Sequence, residues 1–282
     1  MEQKFKLLEN FDNYQSEYIS KLSGKIPHYE VVGPIISLFL NRIIRNGAFY
    51  MNVHFEDLAA ILSDGELKSN MITGNSATVG GEKSRIESTC AMYNVREEDL
   101  KPEDYPKFGY LSCADTRINF FTNLDYVYQY GDVVFRFKKE NLLHRTMLVI
   151  GDSMNFGHFY ALVPTRVSYP LASCIYGLSN GHSVSLSAGF ERNPGSLWYY
   201  FVEKILAKEI TTDNFYRMQD IIGSENPYFD FFELQYIGPL MLKNDVECID
   251  IFRKNFEGRE DLLKTTEEYC KSTGIQLNLH EL

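Results

Sequence analysis

An acidic and an amide side chain lie two residues apart in an otherwise apolar stretch of the sequence. The run 231–236 reads FFELQY and contains Glu233 and Gln235. Residues at positions i and i+2 of a strand project from the same face. A carboxylate and an amide on a buried strand are costly unless they are paired, so we predict that they face a cavity or a fixed partner. The alternative is an edge strand with a solvated face.

A histidine at the end of a predicted strand is the second candidate. Residues 49–55 are rich in aromatic and β-branched side chains, which predicts a strand that contains His54 close to its end. The apolar residues that follow recur at helical spacing until Gly65, and a polar stretch covers 68–76. A histidine, a helix folding back over it and a hydroxyl- and amide-rich turn would form one wall of a polar ligand pocket.

Two other motifs suggest chemistry that we do not favour. His54, Glu56 and Asp57 are too close together across a strand-to-helix change to bind one metal ion, so no metal site is predicted. The turn Gly151-Asp152-Ser153 resembles the nucleophile turn of GDSL-type esterases. That family takes its base from a histidine three residues after an aspartate, a spacing that this sequence lacks. A serine esterase using Ser153 therefore stays a minor alternative.

Composition limits the class of protein. The chain has 282 residues, of which 44% are hydrophobic and 14% aromatic, as expected for one large globular unit. No apolar run reaches the roughly 18 residues that a membrane span needs. The net charge of −10 disfavours nonspecific binding to a phosphate backbone, although it leaves a local basic groove open.

The cysteines and the first residues indicate the compartment. Five cysteines are widely spaced, without any C-x-x-C, which predicts reduced thiols rather than a disulfide framework or a zinc site. No apolar segment typical of a signal peptide follows Met1, so we expect a cytoplasmic protein with no membrane partner.

The order of predicted elements indicates an α+β fold with a mixed sheet. Helices are predicted at 1–23 and 34–45 and again from Leu197 onward. The stretch 75–106 is expected to be a mobile loop that contains one short helix at 84–95. Strands are predicted at 49–55, 108–115, 131–137, 145–150 and 228–237, and in the alternating residues 275–279. Strands and helices without regular βαβ alternation are typical of the α+β class.

Taken in chain order, the motifs resemble the ADP-ribosyltransferase superfamily, and more specifically a little-characterised bacterial family of that fold. The matching segments are 52–55 (NVHF), 64–69 (DGELKS), 73–76 (TGNS), 106–109 (PKFG), 130–132 (YGD), 151–153 (GDS) and 233–239 (ELQYIGP). They fall within 49–250. The resemblance implies an ADP-ribosyltransferase-like split sheet with flanking helices at 49–250. An N-terminal helical cover at 1–48 and a C-terminal helix and tail at 251–282 would complete the chain.

The resemblance also implies a cofactor-like substrate, NAD, in the cleft between the two halves of the sheet. His54 would hydrogen-bond an NAD ribose, Glu233 would stabilise the developing oxocarbenium ion, and Phe108 or Tyr110 would stack on nicotinamide. Phe55, Thr73, Gly74, Ser76 and Ser112 would line the pocket. Phe108 replaces an expected tyrosine, and Gln235 replaces the second acid of arginine-modifying relatives, so Gln235 is a candidate for the aligned catalytic position and for acceptor recognition.

The activity implied is mono-ADP-ribosylation of a target macromolecule with release of nicotinamide. We expect a protein side chain as the acceptor, with a nucleic-acid acceptor left open. The alternative on the same fold is a non-catalytic module that binds a protein. The acidic stretch 260–268 before an apolar C-terminus resembles a translocation signal, which would make the protein a secreted effector or toxin acting inside a host cell.

Overall fold

The computed structural model describes residues 5–7, 9–10, 44, 46–74, 81–93, 95–112, 130–150, 161–162, 206–209 and 232–281. The helices predicted at 1–23, at 34–45 and from Leu197 onward fall almost wholly outside these ranges, as do Ser76 and Ser153. Leu7, within the predicted first helix, is buried.

Eight strands form one mixed sheet in the order β10-β9-β4-β1-β3-β7-β5-β6. Six of its seven strand pairings are antiparallel, and only β9 and β10 run parallel. The strands are β1 (Ala48–Val53), β3 (Lys107–Ser112), β4 (Val133–Phe137), β5 (Thr146–Ile150), β6 (Ala161–Leu162), β7 (Phe232–Tyr236), β9 (Val246–Phe252) and β10 (Gln276–His280). A separate ribbon pairs β2 (Glu66–Leu67) with β8 (Leu240–Met241).

The described helices are α1 (Leu58–Asp64), α2 (Asn70–Thr73), α3 (Gly81–Tyr93), α4 (Lys139–Leu142), α5 (Leu242–Asp245) and α6 (Glu260–Thr273). Short 3-10 turns lie at Phe55–Asp57, Glu97–Asp99, Pro102–Asp104, Leu143–Arg145 and Arg253–Phe256. Gly65 ends α1 in the left-handed region at φ 67°, as its position in the sequence predicts. The prediction of an α+β fold with a mixed sheet and helices is confirmed.

The sheet opens between its two central strands, β1 and β3. These strands pair over three residue pairs only, from Ala48 with Ser112 to Tyr50 with Tyr110. Beyond Tyr50, toward its C-terminal end, β1 is paired with β4 rather than β3, and the β1–β4 ladder covers five residue pairs. Beyond Tyr110, toward its N-terminal end, β3 is paired with β7 rather than β1, again in a ladder of five residue pairs. Two well-paired halves are thus joined by a short seam.

Side chains close the seam on the face opposite Glu233. The Tyr236 hydroxyl donates to the carbonyl oxygen of Tyr50 at 3.0 Å, so this buried acceptor has a partner where the ladder ends. A Cβ at Gly109 would lie 2.1 Å from that same carbonyl oxygen. Only glycine therefore allows β3 to approach β1 this closely.

The helix predicted at 84–95, within the stretch 75–106, is present as α3, which has 13 residues and begins at Gly81. Two features of the fold differ from what the sequence predicts. The strand β9 was not predicted, although Val246, Ile249 and Ile251 are strong β-formers. The boundary predicted at residue 250 lies inside β9, and β10 extends the same sheet, because α6 returns the chain parallel to β9.

No helix among the described residues is long and apolar enough to cross a membrane.

Candidate active site

Glu233 and Gln235 lie together on β7, an inner strand between β3 and β5. Their exposed fractions are 4% and 1%, so the interpretation as a solvated edge strand is wrong. The Gln235 amide nitrogen donates to Oε1 of Glu233 at 2.7 Å. This is the fixed partner that the sequence predicts for a carboxylate on a buried strand.

A tyrosine from α3 completes this pair. The Tyr93 hydroxyl donates to Oε1 of Gln235 at 2.7 Å, and the Tyr93 side chain is fully buried. Burial, and secondarily the charge of Glu233, raises the pKa of Tyr93 well above its usual value. The phenol therefore stays protonated at neutral pH and acts as a hydrogen-bond donor.

The neighbouring strand β3 contributes two aromatic residues to the same face. Tyr110 pairs with Glu233, and Phe108 pairs with Gln235, in the antiparallel register. The Tyr110 ring stacks on Tyr50, with centroids 5.4 Å apart and an interplanar angle of 18°. The guanidinium carbon of Arg85, from α3, lies 4.5 Å from the centroid of the Phe108 ring. One face of each predicted stacking ring is therefore already in contact with another side chain.

Asn52 connects these aromatic residues to the end of β1. The Tyr110 hydroxyl donates to the side-chain oxygen of Asn52 at 3.1 Å. The side-chain nitrogen of Asn52 donates to the carbonyl oxygen of Gly131, also at 3.1 Å. At Gly131, whose φ is 126°, a Cβ would lie 2.0 Å from the backbone of Val53. Glycine is thus required on both conformational and steric grounds.

Asp132 holds the turn that follows β1. One carboxylate oxygen accepts the Phe55 backbone N–H at 3.1 Å, and the other accepts the Asn255 amide at 2.6 Å. The Tyr-Gly-Asp segment at 130–132 is therefore the support for the end of β1, and this end carries His54.

His54 itself is exposed and makes no side-chain hydrogen bond with the part of the chain that the structure describes. Its extended backbone continues the alternation of β1, so it lies on the same face as Tyr50. Tyr50, Tyr110 and Glu233 form one row across three strands. With strands about 4.8 Å apart and a rise of about 3.3 Å per residue, His54 and Glu233 are separated by roughly 16 Å along this face.

The other predicted pocket residues are spread over the molecule. Phe55 is buried edge-on against Phe256, with ring centroids 4.9 Å apart, so the structure gives it a packing role. Thr73 ends the one-turn helix α2 and is exposed, and Gly74 caps that helix at φ 70°. Ser112 is buried at the seam opposite Ala48. The ligand roles of Thr73 and Gly74 stay predictions.

Two buried cations hold the turn that follows β7. Neither is among the predicted site residues, although Lys107 belongs to the matching segment 106–109. Arg145 donates to the carbonyl oxygens of Ile237, at 3.1 Å, and Pro239, and it forms an ion pair of 2.8 Å with Asp245. Lys107 donates to the carbonyl oxygen of Gly238 at 2.7 Å. Burial lowers the pKa of Lys107 to about 8. Charge-assisted bonds thus fix the end of the strand that carries Glu233.

Other chemistries find less support in the described residues. Within the described ranges no group of three or more histidine, cysteine or acidic side chains could hold a metal ion. The His280 imidazole pairs with Asp250 at 2.7 Å, a candidate base for an esterase. However, β10 lies six strand spacings from β5, or about 29 Å along the sheet, and Ser153 is outside the described residues, so the esterase alternative is not tested.

The sequence matches no model of a known protein family, and a search of the curated proteins finds no significant match. The functional interpretation depends on the residues of this site, above all on the buried carboxylate of Glu233 and its contacts.

Proposed function

We propose that this protein is an NAD-dependent mono-ADP-ribosyltransferase with the split sheet of that superfamily. The observation that carries the proposal is the buried carboxylate of Glu233, held by Gln235 at 2.7 Å on an inner strand beside the aromatic residue Tyr110. A carboxylate kept in a fixed position and away from water is suited to stabilising positive charge that develops on a substrate.

The reaction requires such a charge. Nicotinamide leaves with the electron pair of its bond to the ribose, and positive charge builds on the ribose carbon and ring oxygen. Glu233 would stabilise this oxocarbenium ion. A nucleophile of the acceptor then forms the new bond to the same carbon and loses its proton, and the products are ADP-ribosylated acceptor and nicotinamide.

The shape of the sheet also supports the proposal. The seam between β1 and β3 covers three residue pairs, and the two halves separate beyond it. His54 and Glu233 lie on one face at a separation of roughly 16 Å, so a ligand that contacts both must be elongated. A dinucleotide bound in an extended form meets this requirement, with His54 on one ribose and Glu233 at the scissile bond.

The acceptor in this proposal is a side chain of a target protein. The net charge of −10 opposes approach to a nucleic-acid backbone. The action would take place in a cytoplasm, either that of the producing cell or that of a host cell after translocation. Radiolabelled NAD added to a cell lysate with the enzyme should label material that proteinase destroys. Label that survives proteinase but not nuclease would replace the protein acceptor with a nucleic-acid acceptor.

Release of nicotinamide tests the central assignment. Glu233→Gln keeps the shape of the side chain and removes its charge, and we expect the rate of release to fall by a factor of about 100 to 1,000. Asp250→Asn is the matched control, because Asp250 is equally buried on the same sheet but pairs with His280. If wild type and Glu233→Gln release nicotinamide equally, the assignment is wrong. Ligand binding without release by wild type would favour the non-catalytic binding module.

A further inference from the structure

Helix α3 contributes a polar stripe to the site. Arg85, Thr89 and Tyr93 recur every four residues, and all three side chains are at most 5% exposed. Arg85 covers Phe108 on β3, and Tyr93 reaches Gln235 on β7, the residue that pairs with Phe108. The helix therefore contacts both β3 and β7, the strands that carry Tyr110 and Glu233.

The hydrogen bonds determine the orientation of the Gln235 amide. The proposed function requires an ionised Glu233, and an ionised carboxylate can only accept hydrogen bonds, so the nitrogen of the Gln235 amide must face it, as it does at 2.7 Å. The amide oxygen then points away and needs a donor, since it is buried. Tyr93 is that donor, at 2.7 Å, and the raised pKa of the phenol keeps its proton in place.

We propose that Tyr93 is a positioning residue of the active site, which acts on Glu233 through the Gln235 amide; this rests on the proposed function. Without the Tyr93 hydroxyl, the buried amide oxygen loses this donor, and the amide is held less firmly in the orientation that directs its nitrogen to Glu233. The carboxylate is then positioned less precisely for the reaction. The sequence separation of 142 residues means that only the folded chain creates this link.

Tyr93→Phe removes the hydroxyl alone and tests the proposal. We expect kcat for nicotinamide release to fall about tenfold, with KM for NAD changed less than about twofold, because Tyr93 itself does not touch the substrate. Tyr236→Phe is the control, since Tyr236 is also fully buried and donates one hydrogen bond, to the Tyr50 carbonyl oxygen. Both variants should lose thermal stability, but only Tyr93→Phe should lose most of its kcat.

A double-mutant cycle with Gln235→Ala separates positioning from general destabilisation. If Tyr93 acts through Gln235, Tyr93→Phe should have no further effect on kcat in the Gln235→Ala background. Independent, multiplying effects would overturn the proposal, as would an unchanged kcat in Tyr93→Phe when the wild type is active. No nicotinamide release by the wild type would instead overturn the proposed function, and this inference with it.

Discussion

The side-chain amide of Gln235 donates a 2.7 Å hydrogen bond to the carboxylate of Glu233 two residues earlier on the same strand. Both polar ends of Gln235 are used inside the protein, because its oxygen accepts from Tyr93. The sequence suggests acceptor recognition for Gln235. Its exposed fraction of 1% favours a different role, which is to hold Glu233 in position.

Gln235→Ala should therefore impair cleavage of NAD itself and not only transfer to the acceptor. Loss of a buried donor to a charged group costs about 1.5 to 3 kcal/mol, which corresponds to roughly a 10- to 100-fold lower rate of nicotinamide release if the loss is felt in the transition state. The rate is measured without an acceptor, so that water is the only nucleophile. A normal rate of release combined with defective transfer would return Gln235 to acceptor recognition.

His54→Ala should weaken NAD binding more than it slows the reaction. A contact to a ribose is present in the ground state and the transition state alike, so we expect KM to rise about tenfold with kcat changed by less than about threefold. His54 is exposed, so the fold should be unaffected. His144→Ala is the control, because His144 is also exposed but lies on a 3-10 turn at Leu143–Arg145. An unchanged KM in His54→Ala would show that His54 does not contact NAD.

Gly109→Ala should destabilise the protein at the seam between β1 and β3. The added Cβ would lie 2.1 Å from a backbone oxygen of Tyr50, which cannot move without disturbing the seam. We expect a loss of about 3 kcal/mol in the free energy of unfolding. Gly258→Ala is the control, where a Cβ would meet nothing within 4 Å and only φ of 73° is unfavourable. Its expected loss is about 1 kcal/mol. Equal losses in urea denaturation would contradict the steric explanation.

Lys107 should make stability rise with pH. Its pKa is about 8 in the folded protein against 10.5 when exposed, so between these values the unfolded chain binds more protons. The contribution of Lys107 to stability therefore increases from about pH 8 to pH 10.5, by an amount on the order of 3 kcal/mol.

The measurement is the difference in unfolding free energy between wild type and Lys107→Met across this range. Other groups that titrate in this range affect both proteins equally, so their effects cancel in the difference. Cys270 is one of them: burial raises its pKa to about 11, so its contribution to stability is lost as the pH rises above 9. The difference should shift in favour of wild type as the pH rises. A difference that does not depend on pH would mean that Lys107 titrates normally in the folded protein.

Local patterns in the sequence determined several features of the structure directly. Alternation along 231–236 placed Glu233 and Gln235 on one face of a strand, and Gly65 ended a helix where its position predicts. The strand before His54 and the mixed α+β character could also be predicted from the sequence, because the geometry of each helix or strand alone sets the spacing of its buried side chains. Interactions between near neighbours require no knowledge of the rest of the chain.

Tertiary structure decided which residues meet. Tyr93 and Gln235 are 142 residues apart, and Tyr110 and Asn52 are 58 apart, so no spacing in the sequence joins them. The same holds for β9 and β10, which join the sheet beside β4 because α6 returns the chain in parallel. Such contacts depend on the packing of whole strands and helices against one another, since the free energy that orders them comes from burial shared across the molecule.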